Sequence, residues 1–240
     1  RAARGARRGA RGGTIDPDLT APLPGGGARF TDRRDGNMSS VGGEDHERGT
    51  EHREALRERL GLTAIARGYQ VHGPHIHVVG APPPPDRGQR PEPDADGQAT
   101  VLRGVGAMVL AADCLPVAIG GTRALAMVHA GWRGLAAGVL ERGVGAVREL
   151  GDDSALVAVL GPCAGACCYE VGPEVHAALG TGIARTAMLD MRAIARERLL
   201  AAGAASVTER GGCTICEERY FSHRREGERA GRQAGVAWLS

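Results

Sequence analysis

The 240-residue sequence contains no lysine; all 30 of its basic residues are arginine. With 38 glycines and abundant alanine, this is the pattern of GC-rich codon usage rather than of selection for guanidinium chemistry. Aromatic residues make up only 3% of the chain, so the core must be built mostly from Ala, Val, Leu and Ile. Long apolar runs are missing too. The most apolar region, Val105 to Gly131, is broken by Asp113, Arg123 and His129, which excludes a membrane-spanning helix there. The N-terminal stretch has no apolar segment of the secretory type, and the chain reads as cytoplasmic. In that setting the six cysteines read as free thiols or metal ligands rather than disulfides. Familiar phosphate and nucleophile motifs are absent as well. There is no G-x-S-x-G elbow and no P-loop, and Gly104-Val105-Gly106 lacks the third glycine of a dinucleotide fingerprint. Nucleotide triphosphate hydrolysis and hydride transfer therefore have no support.

Charge narrows the classes further. The chain is net +2, but residues 1–13 carry five arginines and no acid, so removing those five charges leaves −3 on residues 14–240. A nucleic-acid binder would show a basic body, and this body is slightly acidic. Neither nucleic acid nor membrane is expected as a partner.

The length fits one domain with a substantial core. Residues 1–27, rich in Arg, Gly and Pro, are expected to be a disordered tail, because such composition cannot offset its own ordering entropy. Residues 28–240 then form the domain. Within it, Pro82 to Gly97 reads as a long surface loop. A charged helix is expected over Glu47–Leu60, with Ala55, Leu56 and Leu60 inward and Gly61 as its stop. Strands are expected at Ile76–Val79, Val105–Ala112, Pro116–Ile119, Arg123–His129 and Ala155–Leu160. Apolar residues at helical spacing mark Gly134–Leu150, Pro173 suits a first helical position, and Asp190 can cap Met191–Ala202. Mixed strands and helices indicate an α+β (layered α/β) domain, with mixed β-sheets flanked by helices.

Three groupings could carry chemistry. His72, Cys114 and His129 each fall at the end of an expected strand, where clefts form in layered sheets. Two imidazoles and a thiolate suit Zn²⁺ and leave a fourth position open, the catalytic form of a zinc site. His75 and His77 share a strand face and could join His72, although histidines facing solvent on an edge strand fit the same pattern. Finally, Cys213-Thr214-Ile215-Cys216 could combine with Cys163 and Cys167 into a closed four-thiolate site. The forty-odd residues between the halves favour scattered thiols instead, and Cys167, Cys168 and Cys213 are assigned to packing. His52-Arg53-Glu54 with the same C-x-x-C mimics a zinc deaminase signature, but Gly212 stands where that signature needs proline.

Read in order, several segments form a single pattern. They are Gln70-Val71-His72-Gly73, Ala111-Ala112-Asp113-Cys114-Leu115-Pro116-Val117 and Val128-His129-Ala130-Gly131-Trp132-Arg133-Gly134. Cys168-Tyr169-Glu170-Val171-Gly172, Phe221-Ser222-His223-Arg224-Arg225 and Gly231-Arg232-Gln233-Ala234-Gly235 follow. Over about residues 28–240 the chain resembles the YfiH-type family, known as laccase-domain or multicopper polyphenol oxidase, peptidoglycan editing factor and purine nucleoside phosphorylase.

The resemblance implies a three-layer mixed-sheet domain and one metal, zinc or alternatively copper, held by His72, Cys114 and His129, which are then also the catalytic residues. It implies phosphorolysis of adenosine, inosine and S-methyl-5'-thioadenosine, with adenosine deamination as a side activity. Nucleoside and phosphate are then the partners. Polyphenol oxidation ranks second, because a lone three-ligand site lacks the further copper centres that reduce oxygen; peptidoglycan-precursor editing is the remaining alternative. Arginine suits phosphate through bidentate contacts, which makes Arg53, Arg133, Arg224 and Arg225 the substrate-binding candidates. Asp113 could orient a ligand, and Trp132 could stack a purine. One departure stands out: the stretch after Phe30-Thr31-Asp32-Arg33 is shortened, which weakens the case for any contact from residues 33–53, including Arg53.

Overall fold

The protein is described by a computed structural model covering residues 16–91 and 93–240. The chain runs β1 (Thr20–Leu23), β2 (Gly26–Phe30), α1 (Gly49–Arg59), β3 (Ala64–Ala66), β4 (Ile76–Val79), β5 (Gly97–Thr100) and β6 (Val105–Ala111). It continues through β7 (Leu115–Gly120), β8 (Leu125–Ala130), α2 (Trp132–Ala136), α3 (Val139–Glu149), β9 (Leu156–Leu160), β10 (Glu170–Val171) and α4 (Pro173–Leu179). The last elements are β11 (Ala187–Met188), α5 (Met191–Ala201), β12 (Ala204–Glu209), α6 (His223–Glu226) and β13 (Gln233–Leu239).

Two large mixed sheets carry the fold. One has the order β1-β2-β13-β6-β3, the other β12-β9-β7-β8-β5-β4, and β10 pairs with β11 alone. Side chains alternate between faces along a strand, and here both faces are buried. Ala107 and Val109 of β6, with Ala28 and Phe30 of β2, pack onto Ala118 of β7 and Leu125 and Met127 of β8, filling the space between the sheets. The opposite face of the second sheet, with Val117, Ile119 and Val128, is covered by Leu135, Leu140, Val144 and Leu199 from α2, α3 and α5. The opposite face of the first sheet, with Met108 and Val236, is covered by Leu56 of α1. The mixed α/β character is as expected, but the layers number four rather than three, because α1 caps the first sheet on its own.

The expected strands appear within a residue or two, since each is an apolar run stopped by Gly, Asp or Pro. Three readings need correction. Residues 20–27 are not part of a disordered tail: they form the β1–β2 hairpin, in register with β13. Their glycines serve close packing, because a Cβ on Gly27 would lie 2.8 Å from the Trp238 ring. Residues 1–15 of that expected tail lie outside the described residues. The expected helix over Gly134–Leu150 is two helices, broken where Gly138 takes φ +83°. On α1, Ala55 faces outward and Arg53 faces in. No helix among the described residues is long and apolar enough to cross a membrane.

Candidate functional site

His72, Cys114 and His129 meet at one end of the sheets. His129 lies within β8, Cys114 in the tight turn between β6 and β7, and His72 in the connection from β3 to β4 rather than at a strand end. Their donor atoms all lie within 4.8 Å of one another, with His72 Nε2 3.8 Å from Cys114 Sγ and the two imidazoles edge to face at 4.9 Å. The backbone is built to allow this approach. A Cβ on Gly131 would lie 2.9 Å from the His72 ring and 3.1 Å from Cys114 Sγ, so only glycine fits. His72 and Asp113 hold φ of +62° and +87°, conformations that persist only where the surroundings over-determine them.

The over-determining group at His72 is Asp96, fully buried just before β5. Its carboxylate accepts the backbone N–H groups of Val71, His72 and Gly73 at 3.0, 2.9 and 2.8 Å. It also lies 2.8 Å from His129 Nδ1, which leaves Nε2 of that ring to face Cys114. Gln70 completes the anchor by exchanging two 2.7 Å hydrogen bonds with the backbone of Leu110. Asp113 plays a parallel part for Cys114. It accepts the Thr214 hydroxyl at 2.6 Å and the Arg224 N–H at 2.7 Å, fixing the turn that presents the thiol. A carboxylate behind an imidazole is the usual outer shell of a histidine metal ligand. Asp96 escapes sequence reading because it lies near the end of a proline-rich stretch, Pro82 to Gly97, expected to be surface loop, whose last residues, Ala95, Asp96 and Gly97, are buried.

The electrostatics follow from burial and pairing. Burial alone would raise the Cys114 thiol, but the His129 charge and hydrogen bonds from both histidines bring it down to about 6. Burial would lower the His129 imidazolium, yet the Cys114 thiolate and Asp96 raise it to about 9. Burial would likewise raise Asp96, and the His129 and backbone N–H bonds more than reverse it. Without a metal the trio thus holds a thiolate–imidazolium pair, and a cation can take the place of the proton. Two nitrogens and one thiolate, with a tautomer-fixing carboxylate behind, fit a divalent metal with N/S preference.

The alternative three-histidine cluster does not form among the described residues. His75 Nδ1 sits 2.7 Å from the Asp94 carbonyl oxygen on the exposed edge of the sheet, and neither it nor His77 joins a group of converging metal donors among the described residues.

The arginines separate into two kinds. Arg53 is buried, its Nε 2.6 Å from Asp86 and its terminal nitrogens on Met38 O, Ser40 Oγ and Thr50 Oγ1. Arg225 donates to the Thr214, Ile215 and Tyr220 carbonyls and to Glu226. Both guanidinium groups are thus engaged by carbonyls and carboxylates of the fold, Arg53 from a buried position and Arg225 from an exposed one. Arg133 and Arg224 are exposed. Arg133 lies over the Trp132 ring, and Arg224 over Tyr169 with one bond to the Glu170 carbonyl. Tyr169, raised to about 12 by burial and the Cys114 charge, keeps its phenol proton. Half-buried Arg232 also feels Cys114 and Asp113. Sequence reasoning gave neither Tyr169 nor Arg232 a role, although both stand in segments of the family pattern.

The thiols also depart from expectation. Cys167, Cys168, Cys213 and Cys216 are not scattered; their sulfurs lie within 4.8 Å of one another. Cys163 is buried and outside the group.

The fold and site define a two-sheet α/β protein with a His₂Cys metal-type centre backed by a buried carboxylate. Residues 25–240 match the family described as multi-copper polyphenol oxidoreductase laccase. The chain is 40% identical over 222 residues to a purine nucleoside phosphorylase of Xylella fastidiosa, covering 85% of this chain and 84% of that protein. It is 35% identical over 185 residues to the Escherichia coli purine nucleoside phosphorylase YfiH, covering 71% and 72%. Among solved structures, Neisseria meningitidis protein NMB0706 superposes with a TM-score of 0.78 at 30% identity, covering 92% of this chain and 98% of that one. The chain belongs to this laccase-domain, YfiH-type family.

Proposed function

We propose that the protein is a zinc-dependent purine nucleoside phosphorylase acting on adenosine, inosine and S-methyl-5'-thioadenosine at the His72/Cys114/His129 centre. The observation that carries this reading is the convergence of those three side chains over Asp96 in a chain 40% identical to a protein named for that activity. Zinc bound there supplies Lewis acidity and an open coordination position.

The chain's own residues account for the rest. In phosphorolysis a phosphate oxygen bonds to the sugar carbon while the bond to the purine nitrogen breaks, and the purine leaves with a proton. Positive charge develops on the sugar, and the attacking phosphate must be held against it. Arg133 and Arg224, the two candidate arginines whose side chains have the fewest hydrogen bonds to the fold, suit that task through paired N–H donors. Tyr169 holds a proton at its phenol oxygen and can donate it as a hydrogen bond. Trp132, half-buried at the start of α2, offers an aromatic face beside the site. Deamination of adenosine, with water replacing the amino group, is the side activity assigned to the same centre.

Polyphenol oxidation is less well served. Of the eight histidines, only His72 and His129 enter a metal-type cluster among the described residues, and oxygen-reducing copper clusters need more imidazoles. The test is chromatography of adenosine incubated with zinc-loaded protein, with and without phosphate. Adenine formed only with phosphate supports phosphorolysis. Inosine alone in both buffers, or no turnover at all, overturns it.

A further inference from the structure

We propose that Cys167, Cys168, Cys213 and Cys216 form a second, closed zinc site with four thiolate ligands, structural rather than catalytic. The site shares no ligand with the His72/Cys114/His129 centre, and its metal binding does not rest on the proposed nucleoside chemistry.

Two turns build it. Cys168 N–H and Tyr169 N–H both donate to the Gly165 carbonyl, at 3.0 and 2.9 Å, curling the Cys167-Cys168 pair outward. Glu217 N–H donates to the Cys213 carbonyl at 3.0 Å, closing the C-x-x-C turn. A bridge between Cys163 and Cys213, with Thr214 N–H on the Cys163 carbonyl at 2.9 Å, sets the turns side by side. The outcome is a cluster of four sulfurs, with Cys216 Sγ 2.7 Å from Cys168 Sγ and 3.3 Å from Cys167 Sγ, and every separation within 4.8 Å. Tetrahedral zinc at about 2.3 Å from sulfur places its ligands about 3.8 Å apart, inside that range.

The surroundings are those of a metal cradle. Gly165 N–H donates to Cys213 Sγ at 3.2 Å, the kind of bond that favours a thiolate. A Cβ on Gly165 would lie 3.2 Å from the sulfurs of both Cys167 and Cys213, so the glycine lets the backbone pass directly under the cluster. Arg225 clamps the C-x-x-C turn through the Thr214 and Ile215 carbonyls at 2.7 and 2.8 Å. A set of four soft ligands with no carboxylate selects zinc over magnesium or calcium. It also leaves no open position for substrate. Binding releases the thiol protons to solvent and needs no oxidant.

The position gives the site a purpose. Tyr169 directly follows Cys168. Thr214, inside the C-x-x-C, donates to Asp113, which also receives the Arg224 N–H beside Cys114. A metal locking the two turns would therefore steady the wall that carries Tyr169 and Arg224. It replaces a hydrophobic tie at this surface, where Cys167 and Cys216 are exposed.

The experiment is metal analysis and zinc X-ray absorption on the full chain, purified from zinc-supplemented cells under a thiol reductant. Three forms are compared: wild type, Cys114→Ala, and the pair Cys213→Ser with Cys216→Ser. The proposal expects two zinc ions per wild-type chain and one in Cys114→Ala, the latter ringed only by sulfur at about 2.3 Å. The double serine variant should lose one equivalent and keep a zinc with nitrogen ligands. Should that variant fail to fold, the Cys114→Ala spectrum still decides. A metal-free Cys114→Ala protein, a nitrogen or oxygen shell in it, iron with acid-labile sulfide, or cysteines joined as disulfides despite the reductant would each overturn the proposal.

Discussion

Replacing Asp96 by asparagine keeps the side chain's shape but turns one of its two acceptor oxygens into a donor. One oxygen serves the Val71 and Gly73 N–H groups; the other serves the His72 N–H and His129 Nδ1. In either orientation the new amide nitrogen faces donors that it cannot accept. If it faces Val71 and Gly73, two hydrogen bonds to a buried charged group are lost, each worth about 1.5–3 kcal/mol. If it faces His129 instead, it donates to Nδ1 and forces the proton onto Nε2, the nitrogen turned toward Cys114, so the ring can no longer ligate. The expected destabilisation is about 3 kcal/mol or more, which for a domain of this size lowers Tm by about 6–12 °C. Zinc affinity at the His₂Cys centre should fall about 10- to 100-fold, the usual cost of losing an outer-shell partner. Thermal unfolding and competition with a chromogenic chelator measure the two effects, with the cysteine-cluster variant as background to isolate this centre. A D96N protein with unchanged Tm and zinc affinity would refute the role given to this carboxylate.

Four further outcomes follow from the same geometry. Gly131→Ala should abolish zinc binding by the triad while leaving the fold in place, since the added methyl meets both His72 and Cys114; binding titration checks this. Arg53→Met should cost about 1–3 kcal/mol by leaving the buried Met38 carbonyl without its donor, while Arg67 still holds Asp86 at 2.9 Å; this reads as a lower denaturant midpoint, whereas Arg224→Ala should leave stability unchanged and raise the KM for phosphate about tenfold or more. Burial would raise Asp152, but Ser154 and the N–H groups of Arg123 and Ala124 hold it at about 2. Because its folded value lies below its unfolded one, its contribution of about 2 kcal/mol is complete above pH 4 or so and is lost as the pH falls toward 2. The Tm gap between wild type and Asp152→Ala should therefore narrow over that window.

Sequence alone reveals the parts of the fold where apolar runs meet clean stops. Strands β6 to β9 are such runs, bounded by Asp113, Gly120-Gly121, Gly131 and Gly161-Pro162, and α5 carries an Asp190 cap that the structure retains. Strands β1 and β2 escape notice because the glycines at their junction, set where another backbone passes close, mimic a flexible tail. The meeting of His72, Cys114 and His129 is legible from the motif pattern, while Asp96 is not, because nothing in Pro-Asp-Ala-Asp-Gly distinguishes a buried carboxylate from a loop acid. Arg53 and Arg225 look like ligands in sequence and are found bonded to carbonyls and carboxylates of their own fold, since a guanidinium satisfies those groups as readily as a phosphate. The four-thiol cluster is hidden by distance along the chain and by the adjacency of Cys167 and Cys168, which matches no common ligand spacing.

The most direct test of the central claim is to follow adenosine with phosphate in parallel reactions of zinc-replete wild type and Cys114→Ala, quantifying adenine and the sugar phosphate by chromatography. The account predicts equimolar adenine and pentose-1-phosphate from wild type and only the buffer background from Cys114→Ala. Equal phosphorolysis by both proteins would place the chemistry elsewhere on the molecule and contradict it.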